Sequence, residues 1–178
     1  MFRKQFRIGR SRTGLGLFAT EPIRKGKFIA EYKGRRLTTA QAEKLENNSS
    51  NRYLFEVNTR WTIDGSNRRN YARYANHSCR PNAEAVDWRG GIAIRAKKTI
   101  QPGEEIVYNY GKDYLESFIP RCLCPKCTEK RREERRASAA RRKRSAARAM
   151  SAQRKKRKAK IGGKTKSRAK AKPRSAKR

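Results

Sequence analysis

The chain has one histidine, two methionines and four cysteines in 178 residues, and only 15 acidic residues against 49 Lys and Arg. It also has no run approaching the roughly 18 consecutive apolar residues of a membrane span. That lack argues against a membrane protein. The opening Met1-Phe2-Arg3-Lys4-Gln5 leads into no apolar stretch of a secretory signal, so a soluble, intracellular protein is expected. Four cysteines in such a setting read as metal ligands or reduced thiols rather than a disulfide framework. The shortage of acid leaves a formal net charge of +34, which by itself implies attraction to polyanions.

The charge is unevenly spread. Residues 128–178 hold 24 Lys and Arg against 3 acids, while nearly all the aromatic residues lie before them. The first part can bury a core. It reads as short strands punctuated by turns: Gly14–Ala19, Lys27–Tyr32, a hairpin of Tyr53–Val57 and Trp61–Asp64, a second hairpin of Ala83–Trp88 and Ile92–Ala96 around Arg89-Gly90-Gly91, and a half-buried strand over Glu105–Tyr110. Thr39 is placed to cap a short helix over Ala40–Leu45, which the Asn47-Asn48-Ser49-Ser50 run ends. This pattern predicts a mostly-β domain. Beyond Lys130 the sequence is Ala, Ser, Lys and Arg without apolar periodicity. The segment Glu129–Met150 has the composition to become helical on a polyanion, but its like charges predict an open chain in water, and Gly162-Gly163 and Pro173 interrupt the remainder. Residues 130–178 are therefore expected to be a disordered basic tail.

The segment Arg73-Tyr74-Ala75-Asn76-His77-Ser78-Cys79-Arg80-Pro81-Asn82 is the most informative. Taken alone it is a polar loop able to satisfy its own hydrogen bonds. Its Asn-His-Ser-Cys-x-Pro-Asn core resembles the signature of the SET domain. Three more segments match that family in order: Gly14-Leu15-Gly16, Arg52-Tyr53-Leu54-Phe55, and Gly103-Glu104-Glu105-Ile106-Val107-Tyr108-Asn109-Tyr110. The resemblance covers about residues 6–128. It implies small sheets around a knotted Asn-His-Ser-Cys loop, a SET domain over residues 1–112, and methyl transfer from S-adenosylmethionine to lysine side chains of a protein.

Residue by residue, the resemblance places Gly14, Leu15 and Gly16 against the cofactor, where only glycine lets the main chain come so close. Without it they are an ordinary turn. Tyr32 matches a tyrosine beside the cofactor's amino-acid end, and equally suits a strand core. Arg73, Asn76 and His77 match cofactor-holding positions, with His77 a hydrogen-bonded structural imidazole rather than a general base. Tyr110 matches the catalytic tyrosine, and Tyr53 and Tyr108 match walls of the lysine channel, although tyrosine also favours strands. In the family a tyrosine at the position of Tyr108 accompanies lower degrees of methylation than phenylalanine does, which predicts mono- or dimethylation here.

Cys122-x-Cys124-x-x-Cys127 packs three thiols into six residues, and a zinc ion with four tetrahedral thiolates needs one more ligand. The arrangement is similar to the post-SET segment, whose C-terminal cysteines join the cysteine of the signature loop, here Cys79. That implies a zinc clasp over residues 113–129, with two residues before the last cysteine where the family usually has four. A set of reduced thiols is the alternative. No cysteine-rich segment precedes Gly14 in this sequence, so a minimal version of the fold is expected.

The basic clusters Arg141-Arg142-Lys143-Arg144 and Arg154-Lys155-Lys156-Arg157-Lys158 suit phosphate contact or nuclear import. The ending Ala171–Arg178 is similar to linker-histone tails. Two functions are compatible with these features. One is a lysine methyltransferase acting on a histone, histone-like or ribosomal protein, or on its own tail. The other is a nucleic-acid-binding basic protein that uses the SET fold as a scaffold with little activity; a chromatin setting fits either. Nucleus, bacterial nucleoid or cytoplasm, and delivery to a host cell are all compatible with either.

Overall fold

The structure, a computed structural model, describes residues 4–49 and 51–168. In chain order the strands are β1 (Phe6–Ser11), β2 (Gly14–Ala19), β3 (Phe28–Tyr32), β4 (Arg35–Thr38), β5 (Leu54–Asn58), β6 (Trp61–Asp64), β7 (Asn76–His77), β8 (Ala83–Trp88), β9 (Gly91–Ala96) and β10 (Val107–Tyr108). The α-helices are α1 (Thr39–Asn48), α2 (Lys112–Phe118) and α3 (Pro125–Arg168), and a 3-10 turn spans Tyr71–Tyr74. The chain divides into two compact units, residues 1–129 and 130–178.

Four small sheets build the first unit. β1 and β2 form a hairpin, β3-β9-β8 and β4-β6-β5 are three-stranded antiparallel sheets, and β7 pairs with β10 in parallel. The β8–β9 hairpin turns on Arg89 and Gly90, at φ of 49° and 74° between the paired Trp88 and Gly91. Two successive positive φ values are the geometry that carries the right-handed strand twist through a two-residue loop. β9 is buried on both faces through Ile92, Ala93 and Ile94, which makes it the centre of its sheet. Leu17, Ile23, Ile94, Ile100 and Ile106 are the large apolar side chains wholly removed from solvent. At α1 the cap is Thr38, not Thr39. Its hydroxyl accepts from the N–H of Gln41, whose side chain accepts from the N–H of Thr38, a reciprocal box that fixes the helix start one residue earlier than expected.

The strand expected over Glu105–Tyr110 is shorter, because this segment changes partners along its length. Ile106 N–H donates to the Leu17 carbonyl of β2 at 2.7 Å, and the next two residues form β10 against β7. Asn82, 6% exposed, holds the switch in place. Its amide nitrogen donates to the Glu105 carbonyl and its amide oxygen accepts from Val107 N–H, both at 2.8 Å. Ser78 N–H then donates to the Tyr108 carbonyl at 3.0 Å.

The segment from residue 130, expected to be disordered, is helical as far as Arg168 and runs through Gly162-Gly163. Two features account for this. Cys124 and Pro125 make a helix start, with proline at the first helical position and the first bond from Thr128 N–H to the Cys124 carbonyl at 3.0 Å. Alanine and arginine are also strong helix formers, and a glycine costs only about 1 kcal/mol. Pro173 and the Ala171–Arg178 ending lie outside the described residues.

Replacing Asn82 with Ala strands a buried N–H and a buried carbonyl at the partner switch, a loss of about 1–3 kcal/mol. The Asn82→Ala chain is expected to melt roughly 5–10 °C lower by calorimetry or circular dichroism.

Candidate functional site

The parallel pairing of β7 with β10 sets Asn76 beside Val107 and His77 beside Tyr108. From there Tyr110 turns back over the signature loop. Its hydroxyl donates to the Ala75 carbonyl at 2.9 Å, and its N–H donates to Nδ1 of His77 at 3.3 Å. With Nδ1 accepting, the imidazole proton sits on Nε2, 3.3 Å from the Cys79 sulfur. Burial lowers the pKa of His77, so the ring is held neutral between two fixed partners, a splint by geometry.

Around Tyr110 lies an aromatic wall. Tyr108 is 4.7 Å away between ring centroids, Tyr114 of α2 meets Tyr110 edge-on at 5.2 Å, and Phe55 joins Tyr108 to Tyr32. Burial raises the pKa of Tyr32, Tyr108, Tyr110 and Tyr114, so these phenols stay neutral well into the alkaline range. Tyr53 is the outer member at 36% exposed, and its main chain is pinned. Its carbonyl accepts from the Tyr32 hydroxyl at 3.0 Å and from Gly65 N–H at 2.8 Å, and its N–H donates to Asn51. Tyr32 therefore stands inside the core as a support for Tyr53. Arg73 belongs to the same wall. Its guanidinium lies 3.7 Å from the centroid of the Tyr53 ring and donates to the Ser66 carbonyl.

On the other side of β7 a cleft of about 520 Å³ opens between the β1–β2 turn, the signature loop and the start of α3. Asn76 and His77 line it, with Glu105, Phe18, Val107 and Leu123 among the other walls. Asn76 ties the glycine strand to this cleft, because its amide nitrogen donates to the Leu15 carbonyl at 3.0 Å and to the Glu105 carboxylate at 2.7 Å. Gly16 is required by that knot of contacts. A Cβ there would fall 2.5 Å from the Glu105 carboxylate oxygen and 2.9 Å from Cβ of Ser11. Gly14 and Leu15 are exposed on the same hairpin strand, with Leu15 53% accessible.

The four cysteines converge. The sulfurs of Cys79, Cys122, Cys124 and Cys127 all lie within 4.8 Å of one another, and Cys79 and Cys127 are 3.6 Å apart. Four thiolates at Zn–S distances of ~2.3 Å around one ion have edges of ~3.8 Å, whereas a disulfide needs ~2.05 Å. The spacing fits an ion. The two-residue gap before Cys127 suffices because α3 begins inside it, carrying Cys127 on its first turn. Burial would raise the Cys124 thiol, but main-chain N–H groups of Cys79 and Cys127 point at its sulfur and bring it down to about 6. The sulfur thus caps the helix as an oxygen would. Burial and the neighbouring thiols push Cys79 up to about 12, and burial also raises Cys122. Such crowding of sulfur is relieved by a shared cation.

Residues 14–111 match the family model of the SET domain. The chain belongs to the SET-domain family. The chain is 36% identical over 132 residues to the histone-lysine N-methyltransferase set-2 of Caenorhabditis elegans, covering 68% of this chain and 9% of that protein. It is 34% identical over 120 residues to the histone-lysine N-methyltransferase ASHH1 of Arabidopsis thaliana, covering 62% and 24%. A histone-lysine N-methyltransferase of Schizosaccharomyces pombe, H3 lysine-4 specific, is 36% identical over 137 residues, covering 70% and 15%. The chain thus spans no more than a quarter of the length of these three relatives.

The SET domain brings Tyr110, Tyr108 and Tyr53 together with Tyr32 and Arg73, and it sets Asn76 and His77 on the cleft. Sequence reasoning missed Tyr114, Glu105 and Leu123. Glu105 stood inside a matched motif, and Tyr114 with Phe118 forms an i, i+4 aromatic pair on α2, 4.9 Å apart. The thiol geometry predicts one zinc per chain by elemental analysis. Cys124→Ser should weaken zinc binding by more than the ~10–100-fold that loss of a supporting contact costs, and should open residues 113–127 to protease.

Proposed function

We propose that the chain is a protein-lysine N-methyltransferase that uses S-adenosylmethionine, acts on a histone or a histone-like protein, and works at chromatin with its basic C-terminal segment on nucleic acid. One observation carries this reading: the β7–β10 pair joins a polar cleft at Asn76 and His77 to buried, neutral phenols at Tyr108 and Tyr110. The names of the three relatives described above, each a histone-lysine N-methyltransferase, support the lysine and histone assignments.

The cleft fits the cofactor by size and by lining. A volume of about 520 Å³ lies within the usual range of small-molecule sites, and its walls combine apolar Phe18, Val107 and Leu123 with the Asn76 amide and the Glu105 carboxylate. Asn76 and the main chain of His77 would hold it there. Gly14, Leu15 and Gly16 lie beside the cleft rather than among its lining residues, tied to it through the bond from Asn76 to the Leu15 carbonyl. When bound, S-adenosylmethionine supplies a methyl group on a sulfonium. The chain's own part is to align the amine and keep it unprotonated. Lysine in water has a pKa of ~10.4, and an aromatic enclosure disfavours its ammonium form. The proton of the Tyr110 hydroxyl is committed to Ala75, so the oxygen presents lone pairs to positive charge in a fixed position. Zinc held by Cys79, Cys122, Cys124 and Cys127 would pin residues 113–127, including Tyr114, beside the site.

Isotope-labelled S-adenosylmethionine with a panel of histones and bacterial histone-like proteins tests the reading. Wild type should label lysine, and Tyr110→Phe should lose about 10²–10³ in rate, the scale of removing one fixed oxygen partner. An absence of label together with no cofactor binding by calorimetry sinks the assignment in favour of a scaffold role. Mass spectrometry of the same products tests Tyr108. Wild type should stop at mono- or dimethyl-lysine, and Tyr108→Phe should shift the products upward. Trimethyl-lysine as the main wild-type product contradicts that.

A further inference from the structure

The second unit carries a feature that methyl transfer does not use. From Arg135 to Arg157, α3 holds 11 Lys and Arg and no acid, and every residue of this stretch is exposed. At 1.5 Å per residue the stretch is ~34 Å long, so it presents one positive charge per ~3 Å. The charges do not form a stripe. Arg141, Arg142, Lys143 and Arg144 are consecutive, and four consecutive residues at 3.6 per turn cover roughly 300° of the circumference. Like charges four apart, such as Arg132–Arg136 and Arg144–Arg148, each cost a few tenths of a kcal/mol, while the Lys130–Glu134 pair, at 3.9 Å, is a favourable ion pair just before the stretch. A helix charged all round is stabilised by an anion that surrounds it.

We infer that α3 binds duplex DNA through phosphates, lying in a groove with both walls within reach. The inference deepens the nucleic-acid part of the proposed function and does not depend on the methyltransferase activity. Charge and shape select the partner. Double-stranded DNA carries one negative charge per ~1.7 Å along its axis, and its major groove is ~12 Å wide, the diameter of an α-helix with its side chains. The major groove of A-form RNA is too narrow to admit a helix. Insertion into a membrane interface requires an apolar face, and here Met150 is the single large apolar side chain between Lys130 and Arg157. A protein groove would be read through apolar anchors three and four residues apart, which the stretch does not have. The contact is therefore electrostatic and independent of base sequence.

Full-length chain, without cofactor or protein substrate, is titrated by fluorescence anisotropy into two unrelated DNA duplexes of about 30 base pairs. An RNA duplex of equal length and phosphatidylserine vesicles are run alongside. The two DNAs should bind alike, and affinity should fall by about 10³-fold or more between about 50 and 200 mM salt. The combined variant Arg141→Gln, Arg142→Gln, Lys143→Gln and Arg144→Gln keeps good helix formers. It should reduce the logarithmic salt slope by about 3–4, at ~0.9 per lost phosphate contact, with methyl transfer to a free histone peptide unchanged. An unchanged slope in a variant whose helicity by circular dichroism is retained overturns the inference. Tighter binding to the RNA duplex or to the vesicles also overturns it. Failure of DNA binding with methyl transfer intact leaves the enzyme reading standing, and the reverse result leaves this one.

Discussion

The hydrogen bonds of the Asn82 side chain to either side of Ile106 hold the rest of the first unit in register. On its N-terminal side, this segment pairs with β2, and on its C-terminal side with β7. Two strands far apart in the chain are thereby fixed relative to one another. β2 contributes Phe18 to the cleft and β7 contributes Asn76 and His77, so this tie sets the spacing of those walls. A backbone that leaves one ladder for another exposes donors and acceptors to burial without partners, and a side-chain amide is a group that offers both a donor and an acceptor there. Asn70 does the same work beneath the aromatic wall, donating to the Gly65 carbonyl and accepting from Lys33 N–H.

The aromatic wall has a different origin. Tyr32, Phe55, Tyr108 and Tyr110 contribute rings to the core, and the tyrosines among them also bring hydroxyls that must find partners when buried. Tyr32 and Tyr110 solve this by donating to main-chain carbonyls at Tyr53 and Ala75. Each such bond fixes a backbone point next to the site, so core packing and site geometry are set by the same atoms. Arg73 adds rigidity at the exposed edge, where Tyr53 has less packing around it.

Much of this is legible in the sequence because it is written in local patterns. The Arg89-Gly90 turn, the hairpin of β5 and β6, and the order of the four motifs each occupy a few neighbouring residues. The convergence of Cys79 with the C-terminal thiols is readable from the arithmetic of zinc ligands and the family likeness, although the family spacing is shortened. The features that escape depend on tertiary partners. Glu105–Tyr110 alternates like one strand, and only the positions of β2 and β7 reveal that it serves two. Arg73 sits three residues before Asn76, yet the 3-10 turn around it aims its guanidinium at Tyr53. The helix over 130–168 escapes because repulsion between like charges is conspicuous in the composition, whereas the propensities of alanine and arginine act quietly, residue by residue. Cys124-Pro125 advertises zinc chemistry and hides the helix start that the same two residues make.

His77 sits where these systems touch. One ring nitrogen accepts from the main chain of Tyr110, and the other faces the Cys79 sulfur. The thiol cluster and the phenol-bearing residue are thus three atoms of imidazole apart, with no flexible linker between them. A displacement of the Cys79 sulfur would therefore reach the main chain of Tyr110 through one rigid ring.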